Sequence, residues 1–199
     1  MRLYAIRHGE AENKDLSIYQ RVSTPHIDLT KDGRLQIEEV SKKLSFFIHP
    51  NQHNPVFIFT SPYRRTQKSA EIISHVLKHN CIKQSFLLIE RNFGQACGCI
   101  NIEEYVREMG EERTFFRMGS EFYRPPRGES KADVAIRAEI FLTKLLLLPE
   151  NCDIITVSHQ LFLETMHKVI EDRESEKWEN AEIRQYNKIP TGWSFCKRI

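Results

Sequence analysis

In the stretch Leu3-Tyr4-Ala5-Ile6-Arg7-His8-Gly9-Glu10, an apolar run passes directly into charged and polar residues. The apolar part is typical of a strand buried in a parallel sheet. Open α/β sheets bind ligands outside the carboxyl ends of their strands, where Arg7 and His8 would lie. Gly9 lets the backbone turn and approach a ligand closely. We therefore predict that His8 is a nucleophile for phosphoryl transfer and that Arg7 binds the phosphate. The alternative is a salt-bridged surface loop.

The size and composition of the chain predict one globular domain over residues 1–199. A length of 199 residues fits a single α/β domain. Hydrophobic residues make up 40% of the chain and charged residues 28%, which argues against disorder. The net charge of +2 is too small to indicate nucleic-acid binding, whereas a local basic pocket for a small anionic substrate is compatible with it. The sequence gives no oligomeric state.

The cysteines and the apolar stretches indicate the class of protein. The 5 cysteines are odd in number and include no CxxC pair, so neither a disulfide framework nor a structural zinc site is expected. The apolar stretch at 141–148 is much shorter than the roughly 20 residues that cross a bilayer. Met1 leads straight into the first strand, so we expect no signal peptide, no membrane partner and a cytoplasmic location.

Strand and helix patterns alternate along the chain. This alternation predicts a three-layer α/β/α sandwich with a mostly parallel central sheet. Predicted helix starts are marked by Thr30 as an N-cap, by Ser61-Pro62, and by Glu129-Ser130. The predicted strands are about 2–6, 56–59, 86–89, 152–157 and 183–186, with a further apolar piece after Gly192. The predicted helices run from about 30 to 47, 61 to 78, 102 to 112, 129 to 148 and 161 to 170.

The stretch at about 98–128 interrupts the alternation. It is irregular and mixes arginines with aromatic residues, and we predict that it forms a small cap insertion over the sheet. The alternative is amphipathic packing with solvated arginines.

Charged side chains follow several of the predicted elements at equivalent points. Besides Arg7-His8, these are Arg65 in the first turn of a helix, Glu90 after an apolar run, and His159 after another. Because the carboxyl ends of parallel strands share one edge of a sheet, we expect the four places to converge. Each residue taken alone also has a purely structural alternative. Arg65 would pair with Glu71, Glu90 would pair with Arg91 or cap a turn, and His159 would be a core histidine.

Together these residues suit transfer of a phosphoryl group. Arginine matches the phosphate oxygens with bidentate, charge-assisted hydrogen bonds, which predicts this role for Arg7 and Arg65. His159, if protonated, would donate another hydrogen bond. Attack by His8 gives a phosphohistidine, and Glu90 would protonate the leaving oxygen and later activate water. The arginines supply the positive charge, so neither a metal nor a cofactor is expected.

The motifs resemble those of the histidine phosphatase superfamily, also called the phosphoglycerate mutase-like family. Arg7-His8-Gly9-Glu10 is similar to its RHGE signature, and the segment 61–70 is similar to its SPLxRAxQTA helix start. The segment 88–94 resembles the LNERHYG segment of the mutases. Gly128-Glu129-Ser130 and Val157-Ser158-His159 resemble its GES helix start and its second-histidine strand end. The residues from Phe115 to the GES resemble a eukaryotic mutase-like subgroup.

This resemblance implies roles for individual residues. It implies that Arg65, not Arg64, is the phosphate ligand, that Glu90 is the acid and base, and that Arg91 is a substrate contact. The family usually has asparagine where this chain has Lys14, with Asn13 one residue earlier, so either residue is a candidate phosphate contact. Gln160 stands where glycine is common.

The resemblance implies a phosphomonoesterase that acts on a small phosphorylated substrate through a phosphohistidine. The stretch between Gly98 and Gly128 lacks an obvious match to the substrate-clamping arginine pair of glycolytic mutases, which argues against mutase activity. A phosphoglycerate mutase and a non-catalytic phosphate-binding or regulatory member of the family remain the alternatives.

Overall fold

The computed structural model describes residues 1–16, 24–48, 54–94, 102–109 and 120–199. The strands are β1 (Arg2–Arg7), β2 (Val56–Thr60), β3 (Ile82–Gln84), β4 (Asp153–Ser158), β5 (Ile183–Ile189) and β6 (Gly192–Arg198). The α-helices are α1 (Lys31–Phe47), α2 (Arg64–Leu77), α3 (Ile102–Met109), α4 (Lys131–Leu145) and α5 (Gln160–Glu171), and a 3₁₀ helix spans Phe86–Leu88.

The strands form one sheet in the order β3-β2-β4-β1-β5-β6. The first four of these strands are parallel, whereas β5 and β6 are antiparallel to their neighbours. This confirms the predicted mostly parallel sheet. In the register, Val157 of β4 lies opposite Ile6 of β1 and Thr60 of β2. The residues that follow these three strands therefore meet at one edge of the sheet.

Two buried apolar clusters cover the two faces of the sheet. Side chains of α4 and α5 pack on one face, against Leu3 and Ile154 among others. Side chains of α1 and α2 pack on the other face, against Tyr4 and Ile155. Successive strand residues point to opposite faces, so β1 and β4 are buried on both sides. The predicted α/β/α sandwich is confirmed.

The predicted strand over residues 86–89 is wrong. Its first three residues form the 3₁₀ helix, and the edge strand lies earlier, at β3. The Ser85 side chain accepts a hydrogen bond from the backbone N–H of Leu87, which caps the 3₁₀ turn. Phe86 is exposed, while Leu88 is fully buried. The apolar run is therefore a turn anchored by one core residue.

The helix starts follow the predicted signals at two places and depart from them at one. Thr30 caps α1 through Gly33, and Ser130 forms a capping box with Asp133 at α4. The prediction that Ser61 caps the second helix, with proline in its first turn, is wrong. That helix begins at Arg64, and its N-cap makes no side-chain cap bond. Ser61 instead contacts His159, as described below.

The described residues of the predicted cap insertion are α3 and the segment 120–128. The rest of the stretch at 98–128 lies outside the described residues, so the cap stays a prediction. Over the described ranges, no helix has both the length and the apolar character needed to cross a bilayer.

Gly9 is required for a close approach to a helix. A Cβ atom on Gly9 would lie 2.3 Å from the carbonyl oxygen of Gly33 in the first turn of α1, and 3.0 Å from Ile37. We expect Gly9→Ala to lower the free energy of unfolding by about 1–3 kcal/mol, because the overpacked segment after β1 must shift. Urea denaturation measures this. Gly192→Ala is unsuitable as a control. An added Cβ there would meet no atom within 4 Å, but the φ of +139° at Gly192 would strain alanine. Leu35→Ala on the exposed face of α1 serves instead, and equal losses in the two variants would contradict the prediction.

Candidate active site

A pocket opens at the carboxyl edge of the parallel strands. It brings together six of the candidate residues from the sequence, including both Asn13 and Lys14, and it also contains residues that the sequence did not indicate. Its lining consists of Arg7, His8, Glu10, Ala11, Asn13, Lys14, Arg65, Glu90, Gln160 and Asn180. The side chains of the predicted charged residues are almost fully buried, which is unusual for arginine and glutamate unless they are paired.

The contacts of His8 fix the protonation of its ring. Its Nδ1 lies 2.7 Å from the carbonyl oxygen of Gly9, and because a carbonyl only accepts, Nδ1 carries the hydrogen. The Nε–H of Arg65 donates to His8 Nε2 at 3.2 Å. Arginine only donates, so Nε2 presents its lone pair. This is the tautomer that a nucleophilic Nε2 requires.

Arg65 joins the two histidines. Besides its contact with His8, its Nη2 donates to His159 Nδ1 at 3.3 Å, and its Nη1 donates to the carbonyl of Thr24 at 3.0 Å. Its guanidinium carbon lies 5.0 Å from the centre of the Tyr63 ring. The alternative pairing with Glu71 is not formed, because Arg65 is buried beside the histidines and Glu71 binds Lys68 at 2.6 Å.

His159 is fully buried and neutral. Its Nδ1 accepts from Arg65, so its Nε2–H donates to the Ser61 hydroxyl at 2.9 Å. Burial, followed by the positive charge of Arg65, lowers the pKa of this imidazole well below its usual range. The sequence allowed for a protonated His159 that donates to phosphate. In this structure the imidazole is neutral, so it does not act as a cationic donor. The one N–H of neutral His159 is bonded to Ser61, and His159 is not among the residues that line the pocket. Its ring lies edge-on to His8, with 5.3 Å between the ring centres. Its role as a phosphate ligand stays a prediction.

Glu90 caps a helix and lines the pocket at the same time. Its carboxylate accepts from the backbone N–H groups of Leu161 at 3.2 Å and Phe162 at 3.0 Å, in the first turn of α5. It also accepts from the N–H of Arg91 at 2.9 Å. These bonds lower the pKa of the carboxyl, but burial outweighs them and raises it above its ordinary value. A raised pKa suits a group that must deliver a proton.

Arg7 is held by the loop that precedes β5. Its Nη1 donates to the carbonyl of Trp178 at 2.5 Å, and the backbone N–H of Arg7 donates to Glu182. The N–H of Ala181 donates in turn to the carbonyl of His8. The segment 178–182 thus fixes the end of β1, where Arg7, a predicted phosphate ligand, and His8, the predicted nucleophile, lie.

Asn13 and Lys14 both line the pocket, so the structure leaves either as a candidate phosphate contact. Asn13 is buried and its Nδ2 donates to the Thr24 hydroxyl at 2.6 Å. Lys14 is exposed and pairs with Glu10 at 3.2 Å.

Arg91 lies apart from the lining of this pocket. Its Nε donates to the carbonyl of Glu129 at 3.1 Å, and its guanidinium stacks on Phe93. It lines a neighbouring cavity, together with Lys131 and Glu164. Its role as a substrate contact stays a prediction.

Four lining residues were not predicted as site residues: Ala11 and the polar or charged Glu10, Gln160 and Asn180. Glu10 and Gln160 are adjacent in sequence to His8-Gly9 and to His159, and that adjacency was the available signal. Asn180 lies in a polar loop, and nothing local to it in the sequence marks it. The buried Oδ1 of Asn180 has no hydrogen-bond partner among the residues that the structure describes. Within the described ranges, no three His, Cys, Asp or Glu side chains are grouped so as to hold a metal ion.

Comparisons with known proteins show the family of the chain. The family model of the histidine phosphatase superfamily (branch 1) matches residues 3–189. Phosphoglycerate mutase-like protein AT74 of Arabidopsis thaliana is 30% identical over 194 residues, which covers 93% of this chain and 60% of that protein. The Arabidopsis 6-phosphofructo-2-kinase/fructose-2,6-bisphosphatase is 28% identical over 169 residues, covering 84% of this chain and 21% of that protein. The chain therefore spans less than two thirds of the length of each of these two relatives.

A solved structure shares the fold. Mycobacterial glucosyl-3-phosphoglycerate phosphatase superposes with a TM-score of 0.78 at 17% sequence identity, covering 98% of this chain and 96% of that one. This likeness supports the architecture alone. The family model, which matches nearly the whole length, shows that the chain belongs to the histidine phosphatase superfamily, branch 1.

Proposed function

We propose that the protein is a phosphomonoesterase that hydrolyses a small phosphorylated substrate through a phosphohistidine on His8. One observation carries the proposal: the Nε2 lone pair of His8 is presented in a pocket that also holds two arginines and a carboxyl of raised pKa. A nucleophile, a charge clamp and a proton donor are the parts that two-step phosphoryl transfer requires.

In the first step, Nε2 of His8 bonds to phosphorus while the bond from phosphorus to the leaving oxygen breaks. The leaving oxygen takes the proton of the Glu90 carboxyl. Arg7 and Arg65 hold the equatorial oxygens. The N–H of His159 donates to Ser61, so His159 acts here by accepting a hydrogen bond from Arg65 and orienting it. Before this attack, Arg65 exchanges its hydrogen bond with Nε2 for one with a phosphate oxygen, which frees the lone pair and costs little because both are acceptors.

In the second step, ionised Glu90 removes a proton from water. The water oxygen bonds to phosphorus as the bond from Nε2 to phosphorus breaks, which releases inorganic phosphate and returns the proton to Glu90. Arginine side chains supply the positive charge in both steps, so the proposal requires no metal.

The names of related proteins support a phosphate ester as substrate and leave its identity open. One relative is called mutase-like, one contains a bisphosphatase, and the solved structure is that of a sugar-phosphoglycerate phosphatase. A phosphoglycerate mutase is the second candidate, since the same residues would serve it. A binding protein without activity would need neither the nucleophile nor the acid.

Hydrolysis and isomerisation are separated by one experiment. The protein is incubated with 3-phosphoglycerate or an aryl phosphate without added metal, and the products are followed by phosphorus NMR. We expect inorganic phosphate from the aryl ester and no 2-phosphoglycerate. Accumulation of 2-phosphoglycerate faster than phosphate would instead identify a mutase, and no reaction with a panel of esters would favour a binding protein.

A further inference from the structure

Glu90 lies outside the strands of the sheet, so its position depends on contacts other than a strand ladder. It follows the 3₁₀ helix Phe86–Leu88, and the backbone carbonyls of this turn need hydrogen-bond partners from other elements. The carbonyls of Leu87 and Ile89 both accept from Nη1 of Arg137, at 2.7 Å and 3.1 Å. One side chain of α4 therefore holds the backbone that leads into Glu90.

The guanidinium of Arg137 is itself fixed by Glu129, which lies just before α4. Its Nε donates to Oε1 of Glu129 at 2.8 Å, and its Nη2 donates to Oε2 at 2.9 Å. Only 14% of the Arg137 side chain and 20% of the Glu129 side chain are exposed, so salt and water screen this pair less than a surface pair. A bidentate pair between planar groups fixes direction as well as distance. Arg137 is thus held in the orientation in which it binds the two carbonyls.

Glu129 holds the chain on the other side of Glu90. Its Oε2 accepts from the backbone N–H of Asn92 at 2.9 Å, and its own backbone N–H donates to the Asn92 carbonyl at 2.7 Å. The carbonyl of Glu129 accepts from Nε of Arg91 at 3.1 Å. The ion pair of Arg137 and Glu129 is therefore bonded to the chain both before and after Glu90.

Arg137 also packs against the helix start that Glu90 caps. Its guanidinium carbon lies 5.4 Å from the centre of the Phe162 ring, and Phe162 is fully buried. The backbone N–H of Phe162 donates to Oε1 of Glu90 at 3.0 Å. Arg137 itself is not among the residues that line the phosphate pocket, so any effect on the substrate passes through other residues.

We propose that Arg137, together with Glu129, is a positioning residue that fixes the Glu90 carboxyl for transfer of its proton to the leaving oxygen. The inference rests on the proposed function, because Glu90 is the proton donor of that reaction. Removal of a purely structural ion pair would lower only the free energy of unfolding. Removal of a positioning pair also slows the step that needs the proton, and it slows that step most for a basic leaving group.

Arg137→Lys tests this, because it keeps the positive charge but loses the planar fork that makes the four bonds. Rapid mixing with enzyme in excess measures the first step alone, as release of glycerol from glycerol 2-phosphate or of nitrophenol from 4-nitrophenyl phosphate. We expect glycerol release to slow by about 10- to 100-fold, since a small misplacement of the acid is enough for such a loss. Nitrophenol release should stay within about threefold of wild type, because this weak base leaves without the acid. Calorimetry should give an unchanged dissociation constant for inorganic phosphate, because Arg7 and Arg65 keep their partners.

A double variant tests whether Arg137 acts through Glu90. In the Glu90→Gln background the acid is already lost, so Arg137→Lys should slow glycerol release by less than about threefold more. A full further loss in the double variant, equal slowing of the two esters, or wild-type rates in folded Arg137→Lys would overturn the positioning role. If the wild type releases neither product, the proposed function itself is overturned, and the inference with it.

Arg2→Lys is the matched control. Arg2 also forms a bidentate pair, with Asp153, and both of its hydrogen bonds are 2.7 Å long. This pair lies where β1 and β4 begin, at the opposite edge of the sheet from the pocket. Arg2→Lys should therefore lower the free energy of unfolding and leave both release rates unchanged. If Arg137→Lys does not fold, Glu129→Gln keeps one oxygen acceptor for Arg137 and should show the same selective loss of glycerol release.

Discussion

Replacing His8 with alanine is expected to abolish hydrolysis of phosphate esters, with a loss on the order of 10⁴- to 10⁶-fold in kcat. The variant loses the Nε2 lone pair that attacks phosphorus. Arg7, Arg65 and Glu90 remain, and they are anchored by Trp178, Thr24 and the first turn of α5. Binding of inorganic phosphate should therefore change by less than about tenfold, since the arginine clamp persists. Steady-state kinetics and calorimetry measure the two quantities separately.

His75→Ala is the control for this change, because His75 is an exposed histidine on α2. It should hydrolyse esters like the wild type. Equal activity of His8→Ala and wild type would remove His8 as the nucleophile. A large loss of phosphate affinity in His8→Ala would show instead that the histidine acts mainly in binding.

Glu90→Gln is expected to have the second largest effect, and the effect should depend on the leaving group. An alkyl phosphate must be protonated as it leaves, so its kcat should fall by about 10²- to 10⁴-fold. An aryl leaving group is a weaker base, so the first step should be much less affected. Glutamine keeps the Oε1 bonds to Arg91 and Phe162 and loses only the acceptor for Leu161. The fold should therefore persist, and circular dichroism checks it.

The pH profile gives an independent test of the same residue. Burial raises the pKa of Glu90, so the protonated acid persists to higher pH than for an ordinary glutamate. Activity on alkyl esters should fall as pH rises through this raised pKa. In Glu90→Gln this decrease at high pH should be absent. The folded state favours neutral Glu90, so its contribution to stability is present below the ordinary pKa and lost as pH rises through the raised one. An unchanged profile in Glu90→Gln would contradict the assignment.

The sequence predicted the convergence of the site because strand ends are local features with a common direction. His8 and His159 follow apolar runs that the register of β1 and β4 brings side by side. The position of Arg65 was predicted from the helix that follows β2. Each of these predictions needed only a strand, its end, and the rule that parallel strands share an edge.

Contacts between residues that are distant in sequence could not be predicted. The bond from Arg7 to Trp178 joins residues 171 positions apart, and it depends on how the loop before β5 folds back. Glu90 was predicted to follow a strand, but a turn capped by Ser85 delivers it to the same edge. The role of Ser61 was also misjudged, because its hydroxyl is used by His159 rather than by a helix N-terminus. Local propensity does not decide which of several available partners a polar group takes.

The most direct test of the phosphohistidine is to trap it. Glu90→Gln is mixed rapidly with an aryl phosphate, because in this variant release of the aryl group needs no acid while attack of water lacks its base. We expect a burst of the aryl product equal to the enzyme concentration, and mass spectrometry under non-acidic conditions should find one phosphoryl group on the peptide that contains His8. Product formation without a burst, or a phosphoryl group on any residue other than His8, would contradict the proposed mechanism.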